Sequence, residues 1–88
     1  MQEGRCCEIS TEGMKLEIQQ PLSPNTCGTV QLRYGDFMID VPVRVAHSGS
    51  SYDGVKFVYE SDEQRDEVIR LVALLAGAKQ RLGPVLLR

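Results

Sequence analysis

Long apolar runs, an excess of basic charge and an even set of cysteines are all missing from this chain of 88 residues. Each absence removes a class of protein. No stretch approaches the ~20 apolar residues that a membrane-spanning helix needs. The opening MQEGR has neither the basic nor the apolar region of a signal peptide. The expectation is a soluble, cytoplasmic chain with no membrane partner. Ten basic against twelve acidic side chains give a net charge of -2, which repels a polyphosphate backbone, so no nucleic acid polymer is expected as a partner. Three cysteines are an odd number, and without a secretory signal they read as reduced thiols rather than a disulfide framework.

What is present is ordinary globular material: 42% hydrophobic and 25% charged residues, which excludes disorder and fibrous repeats. A chain this short buries only about 60% of its unfolded surface, so a modest core is expected. Period-two alternation dominates the middle of the sequence. Met14, Leu16 and Ile18 share one strand face, with Lys15, Glu17 and Gln19 on the other. The breaker-rich PLSPNTCG ends that strand, and Val30, Leu32 and Tyr34 then alternate with Thr29, Gln31 and Arg33. Tyr34-Gly35-Asp36 reads as a tight hairpin. Phe37, Ile39, Val41, Val43 and Val45 follow as inward positions of a long strand, where Pro42 marks an edge or a bulge because it has no ladder donor. After the loop HSGSSYDG, Tyr52, Val55, Phe57 and Tyr59 are read as inward residues of another strand, with Gly54 at a kink. Cys6 to Ser10 supply one more. Five strands joined by short turns predict a mainly β fold, an antiparallel sheet curled into a small barrel.

The period then changes. Ser61-Asp62-Glu63-Gln64 is a capping box at the start of a helix, with Asp62 and Glu63 suited to the positive end of its dipole. Val68, Leu71, Val72 and Leu75 form the stripe that docks on the sheet. Gly77 offers a stop, but the pattern carries the helix on to about residue 82, before Gly83-Pro84. The expected organisation is one domain over 1–88: strands within about 5–60, a C-terminal helix over about 62–82 and a tail over 83–88. In that tail Val85, Leu86 and Leu87 have no assigned partner. They could cover a barrel opening, pair with a second copy in a homodimer, or lead into further sequence.

Several residues invite chemistry. Cys6 and Cys7 point to opposite faces of a strand and cannot jointly grip a metal. With Cys27 and His47 they still lack paired zinc spacings, so no metal site is expected and one of the pair is read as core. His47 among Ser48, Ser50 and Ser51 has no orienting acid or oxyanion donor, and reads as a solvated loop. Asp62, Glu63, Asp66 and Glu67 serve capping and solubility. Tyr34, Tyr52, Phe57 and Tyr59 read as core. Arg33, Arg44 and Lys56 face outward and would form a weak anion patch if their strands were neighbours. With no nucleophile and base, metal set or phosphate-cradling glycine loop, an enzyme is not expected.

The stretch Glu8-Ile9-Ser10-Thr11-Glu12-Gly13, followed by GMKLEIQQPL, VPVRVAH, YDGVKFVYE and SDEQRDEVIRLV, resembles the PilZ domain family over about residues 5–77. That family is a small bacterial barrel that usually serves as a receptor for the second messenger cyclic di-GMP. Its motif is Asp or Asn, one residue, Ser, two residues and Gly. The resemblance implies a PilZ-like β-barrel, a signalling role without catalysis, cyclic di-GMP as ligand and no cofactor. It assigns Glu8 and Ser10 to the guanine edge and Gly13 to a turn close to the ligand. Arg5, the sole arginine near the start, and Arg44 complete the candidate ligand set.

The sequence departs from the family pattern twice. Position 8 is Glu, one methylene longer than Asp or Asn. The family's pair of arginines with three residues between them, upstream of the motif, is absent. Two charge-assisted contacts of about 2 kcal/mol each correspond to roughly a thousandfold in affinity. The expectation is therefore a cyclic di-GMP signalling module that binds weakly, or only with an additional N-terminal arginine arm. The alternative is a nucleotide-independent protein-interaction or dimerisation domain that uses the helix and the apolar tail.

Overall fold

Alternating hydrophobicity makes six strands and one helix in the computed structural model, which describes every residue except Met1, Pro21, Ser50, Ser51, Lys79, Gln80, Arg81 and Gly83. The elements are β1 (Gln2–Ile9), β2 (Gly13–Glu17), β3 (Cys27–Tyr34), β4 (Phe37–Ser48), β5 (Asp53–Phe57), α1 (Asp62–Ala78) and β6 (Val85–Leu87). The strands close into an antiparallel barrel in the order β1-β2-β5-β4-β3-β6. The inward positions are those the alternation marks: Met14, Leu16, Val30, Leu32, Ile39, Val41, Val43, Val45, Val55 and Phe57 are buried, and Val68, Leu71 and Leu75 of α1 join the same core. A mainly β barrel with one C-terminal helix is the architecture, as expected.

The sixth strand corrects the reading of the tail. Val85 and Leu87 are buried, and β6 pairs with β1 on one side (Gly4↔Val85, Gln2↔Leu87) and with β3 on the other (Val30↔Leu87, Gln31↔Leu86). The tail is thus a stave of the barrel, not a surface left over for a partner. Three residues are too few for alternation to announce a strand, and the segment gains its ladder only because both neighbours offer open edges. Strand β1 also starts earlier than expected, at Gln2.

Other corrections have local causes. Pro42 marks no bulge. Its carbonyl accepts the Val58 N–H at 2.8 Å, just beyond the end of β5. In an antiparallel strand a residue's N and C=O point to the same side, so its missing donor falls where that ladder runs out. The bulge in β4 lies instead between Val45 and His47, and β4 runs through Ser48, which puts His47 on a strand rather than in a loop. Tyr34 and Tyr59 are half-buried against the core, but Tyr52 is exposed and lies just before β5. Asp53 takes the inward place, in phase with Val55 and Phe57. At the Tyr34-Gly35-Asp36 hairpin the last pair is Tyr34↔Phe37, and Gly35 has φ 58, which a type II′ turn asks of its first loop residue.

The helix start is the predicted cap with one change. Ser61 Oγ accepts the Gln64 N–H at 3.1 Å, while Gln64 Oε1 accepts from the Glu60 N–H at 2.9 Å. Gln64 also donates to the Asp40 carbonyl at 3.1 Å and so ties α1 to β4. Gly77 lies within the helix, which is described to Ala78. Leu82 is outside it, and the predicted continuation over 79–81 falls outside the described residues.

Candidate functional site

The acidic residue, serine and glycine of the motif sit at the β1–β2 turn, and a bulge decides how they are presented. Cys6 pairs with Leu16 but Glu8 pairs with Lys15, so Cys7 is an extra residue. A regular strand would turn Glu8 inward and Ile9 outward. The bulge reverses this, because one inserted residue shifts the side-chain phase. Cys6 and Ile9 pack against the core, while Cys7 and Glu8 are both exposed. Glu8 then meets Lys15 at 3.4 Å across the strands.

The turn itself is pinned from several sides. Ser10 N–H donates to the Gly13 carbonyl at 2.9 Å, and Ser10 Oγ accepts the Glu12 N–H at 3.2 Å. The Glu12 carbonyl accepts the Phe57 N–H at 2.9 Å, and the Tyr59 hydroxyl donates to the Thr11 carbonyl. Gly13 is required for a reason the sequence does not reveal. A Cβ there would lie 2.2 Å from the Val55 carbonyl oxygen and 3.2 Å from Lys56 Cα. The glycine admits close approach of β5 and is not there for a left-handed backbone.

Two lateral rows cross the outer face of β1, β2, β5 and β4. One reads Glu8, Lys15, Gly54 and His47; the next reads Gly13, Lys56 and Arg44. The first row ends on a bulge at each side, at Cys7 and at Ala46, and both bulges turn a polar side chain outward. Tyr52 lies over this row, its ring 5.6 Å from that of His47 and 5.0 Å from Lys15 Nζ. The cleft beside the turn, about 220 Å³, is lined by Glu8, Ser10, Glu12, Gly13, Met14, Lys15, Val55 and Lys56. It is smaller than the ~300 Å³ or more of a pocket that encloses a small molecule. A nucleotide using it would lie on the sheet rather than inside the protein.

Glu8, Ser10 and Gly13 therefore come together, and Arg44 lies in Gly13's own row, one strand beyond Lys56. Arg5 is not in the cleft beside the turn. It is three residues upstream on β1, bound to Glu17 at 2.6 Å, and it lines one open groove with Gln2, Ile18 and Pro84 and another with Cys7 and Glu8. Arg33 is also remote: it pairs with Met38 at the far end of the β3–β4 ladder, roughly 20 Å from Arg44 at ~3.3 Å per residue. Sequence reasoning left Lys15 and Tyr52 out of the site. Lys15 was visible as the outward neighbour of Gly13. Tyr52 does not take the inward place expected of it, because 52 is out of phase with 55, 57 and 59. Behind this face, buried Asp53 accepts from Leu22 N–H (2.8 Å), Ser48 Oγ (3.3 Å) and Gly49 N–H (3.4 Å), and thereby ties the β2–β3 connection and the end of β4 to the first residue of β5.

Among the described residues no group of three His, Cys, Asp or Glu side chains is placed to hold a metal ion, and no helix is long and apolar enough to cross a membrane. In comparison with known proteins, the family model described as PilZ domain matches residues 1–74. No curated protein and no solved structure matches the chain.

Proposed function

The chain belongs to the PilZ domain family, and from that membership we propose that it is a non-catalytic receptor module for cyclic di-GMP, engaging the nucleotide on the outer barrel face at Glu8, Ser10 and Gly13. The observation that carries this is the bulge at Cys7, which brings Glu8 out beside Ser10 at a turn held by Phe57 and Tyr59. The exposed Glu8 carboxylate offers two acceptors, and the guanine edge offers two neighbouring N–H donors. Lys15 holds Glu8 in the free protein and must release it in part. Ser10 supplies its hydroxyl and keeps the turn in shape. The missing arginine pair makes the interaction weak. A receptor for an intracellular messenger belongs in the cytoplasm.

Titration calorimetry of the full chain with cyclic di-GMP tests the reading. The expected result is a dissociation constant in the high micromolar range, weakened at least about fivefold by Glu8→Gln or Ser10→Ala, each of which removes a contact worth ~1–2 kcal/mol. Glu8→Asp, which restores the family's shorter side chain, is expected to tighten binding. Absence of heat up to millimolar nucleotide would overturn the proposal.

A nucleotide-independent interaction domain has one observation in its favour: Ile69 and Leu74 are exposed on α1. It predicts a concentration-dependent dimer by light scattering that Leu74→Glu abolishes and Ser10→Ala leaves intact. The tail has no part in it, because Val85 and Leu87 are inside the barrel.

A further inference from the structure

Arg44 and Lys56 stand directly opposite one another on β4 and β5, both exposed. Like charges in direct cross-strand register repel and weaken the sheet. Three other barrel cations are matched with acids, Arg5 with Glu17, Lys15 with Glu8 and Arg88 with Asp40, and Arg33 donates to Gln31. Among the described residues, Arg44 and Lys56 make neither an ion pair of this kind nor a side-chain hydrogen bond. The chain has twelve acidic residues against ten basic, yet none is paired with these two. Their position is also specific. Lys56 is the register partner of Gly13, and both line the cleft beside the motif turn.

We propose that Arg44 and Lys56 form a phosphate seat. It takes the phosphodiester of a guanine nucleotide whose base edge lies at Glu8 and Ser10, and so substitutes in part for the absent arginine pair. The inference rests on the nucleotide reading of the motif turn. The spacing fits: at ~4.8 Å per strand, Lys56 lies one strand and Arg44 two strands from Gly13, or about 5 and 10 Å along the sheet, the direction in which a phosphate follows its base and ribose. The chemistry fits too, because the guanidinium forks onto phosphate oxygens while the ammonium adds a point charge. A bound phosphate removes the repulsion between the two cations. Glu8 and Glu12 keep the anion from the turn end of the cleft, which fixes the polarity of the ligand: base over the turn, phosphate over β4 and β5.

The test uses the full chain with Arg44→Gln, Lys56→Gln, the double variant, and Arg33→Gln as a remote control. Cyclic di-GMP affinity is measured by calorimetry, and pyrophosphate is titrated against amide chemical shifts. Each single change is expected to weaken nucleotide binding about fivefold and the double at least about twentyfold, less at high salt, with Arg33→Gln unchanged. Millimolar pyrophosphate is expected to shift the amides around 44 and 56 in the parent chain but not in the double variant. Without ligand, the double variant is expected to melt at a higher temperature at low salt. Equal cyclic di-GMP binding by parent and double variant overturns the seat and leaves the receptor reading intact. No cyclic di-GMP binding, with pyrophosphate shifts lost in the double variant, overturns the receptor reading and upholds an anion seat. No response to either probe overturns both.

Discussion

Gly13 and Gly77 are the same residue type under opposite constraints. At Gly13 a methyl group would meet the Val55 carbonyl at 2.2 Å, backbone that cannot yield cheaply; at Gly77 it meets nothing within 4 Å. Gly13→Ala is expected to cost about 2–3 kcal/mol through overpacking, and Gly77→Ala to gain up to about 1 kcal/mol from helix propensity. Urea unfolding of the two variants checks both signs. The cysteines differ as well. Burial, with Cys7 close by as a smaller cause, pushes the Cys6 thiol up to about 11, against an ordinary value of 9.0. At pH 8 a thiol reagent is expected to label the exposed Cys7 and Cys27 quickly and Cys6 slowly. Because the folded form keeps this proton while the unfolded chain loses it, stability should fall between about pH 9 and 11. Cys6→Val should flatten that fall.

At the scale of elements, loops are held to strands by single buried groups. Asp53, 1% exposed, accepts from Leu22, Ser48 and Gly49. Asp53→Ala leaves those donors without their acceptor and is expected to cost about 2–3 kcal/mol. Faster amide exchange at Leu22 and Gly49 than in the barrel ladder should accompany it. The two bulges show how strand phase sets the candidate site. Cys6 and Ile9 both face the core, as do Val45 and Asp53's partner Ser48, and residues three apart can do so only with an inserted residue between them. In β1 the apolar letters thus contain the bulge, in β4 the Ser48–Asp53 pair marks it, and Glu8 and His47 are turned outward as a consequence.

For the whole molecule, closure depends on the two ends of the chain meeting. Gly4 pairs with Val85 and Val30 with Leu87, so the last strand completes the first. Removing 85–88 is expected to open the barrel and abolish a cooperative thermal transition, read by circular dichroism, rather than release a dimer. Val85→Ala, at a fully buried position, should retain the fold and lose about 1–3 kcal/mol. Such sequence-distant pairing also implies folding in milliseconds to seconds rather than microseconds.

The sequence alone determined the β alternation, the capped helix and most of the core, because these rest on periodicity and local hydrogen bonding that adjacent residues carry; the Glu8-x-Ser10-x-x-Gly13 motif was marked by its family resemblance. Tertiary structure decided what depends on neighbours distant in the chain. Three apolar tail residues became β6 because β1 and β3 had open edges. Gly13 was required because the β5 backbone approaches it. Arg44 and Lys56 faced one another through strand register, whereas Arg5 and Arg33 fell elsewhere. Local physics writes the elements; which cations share a face is a property of barrel closure.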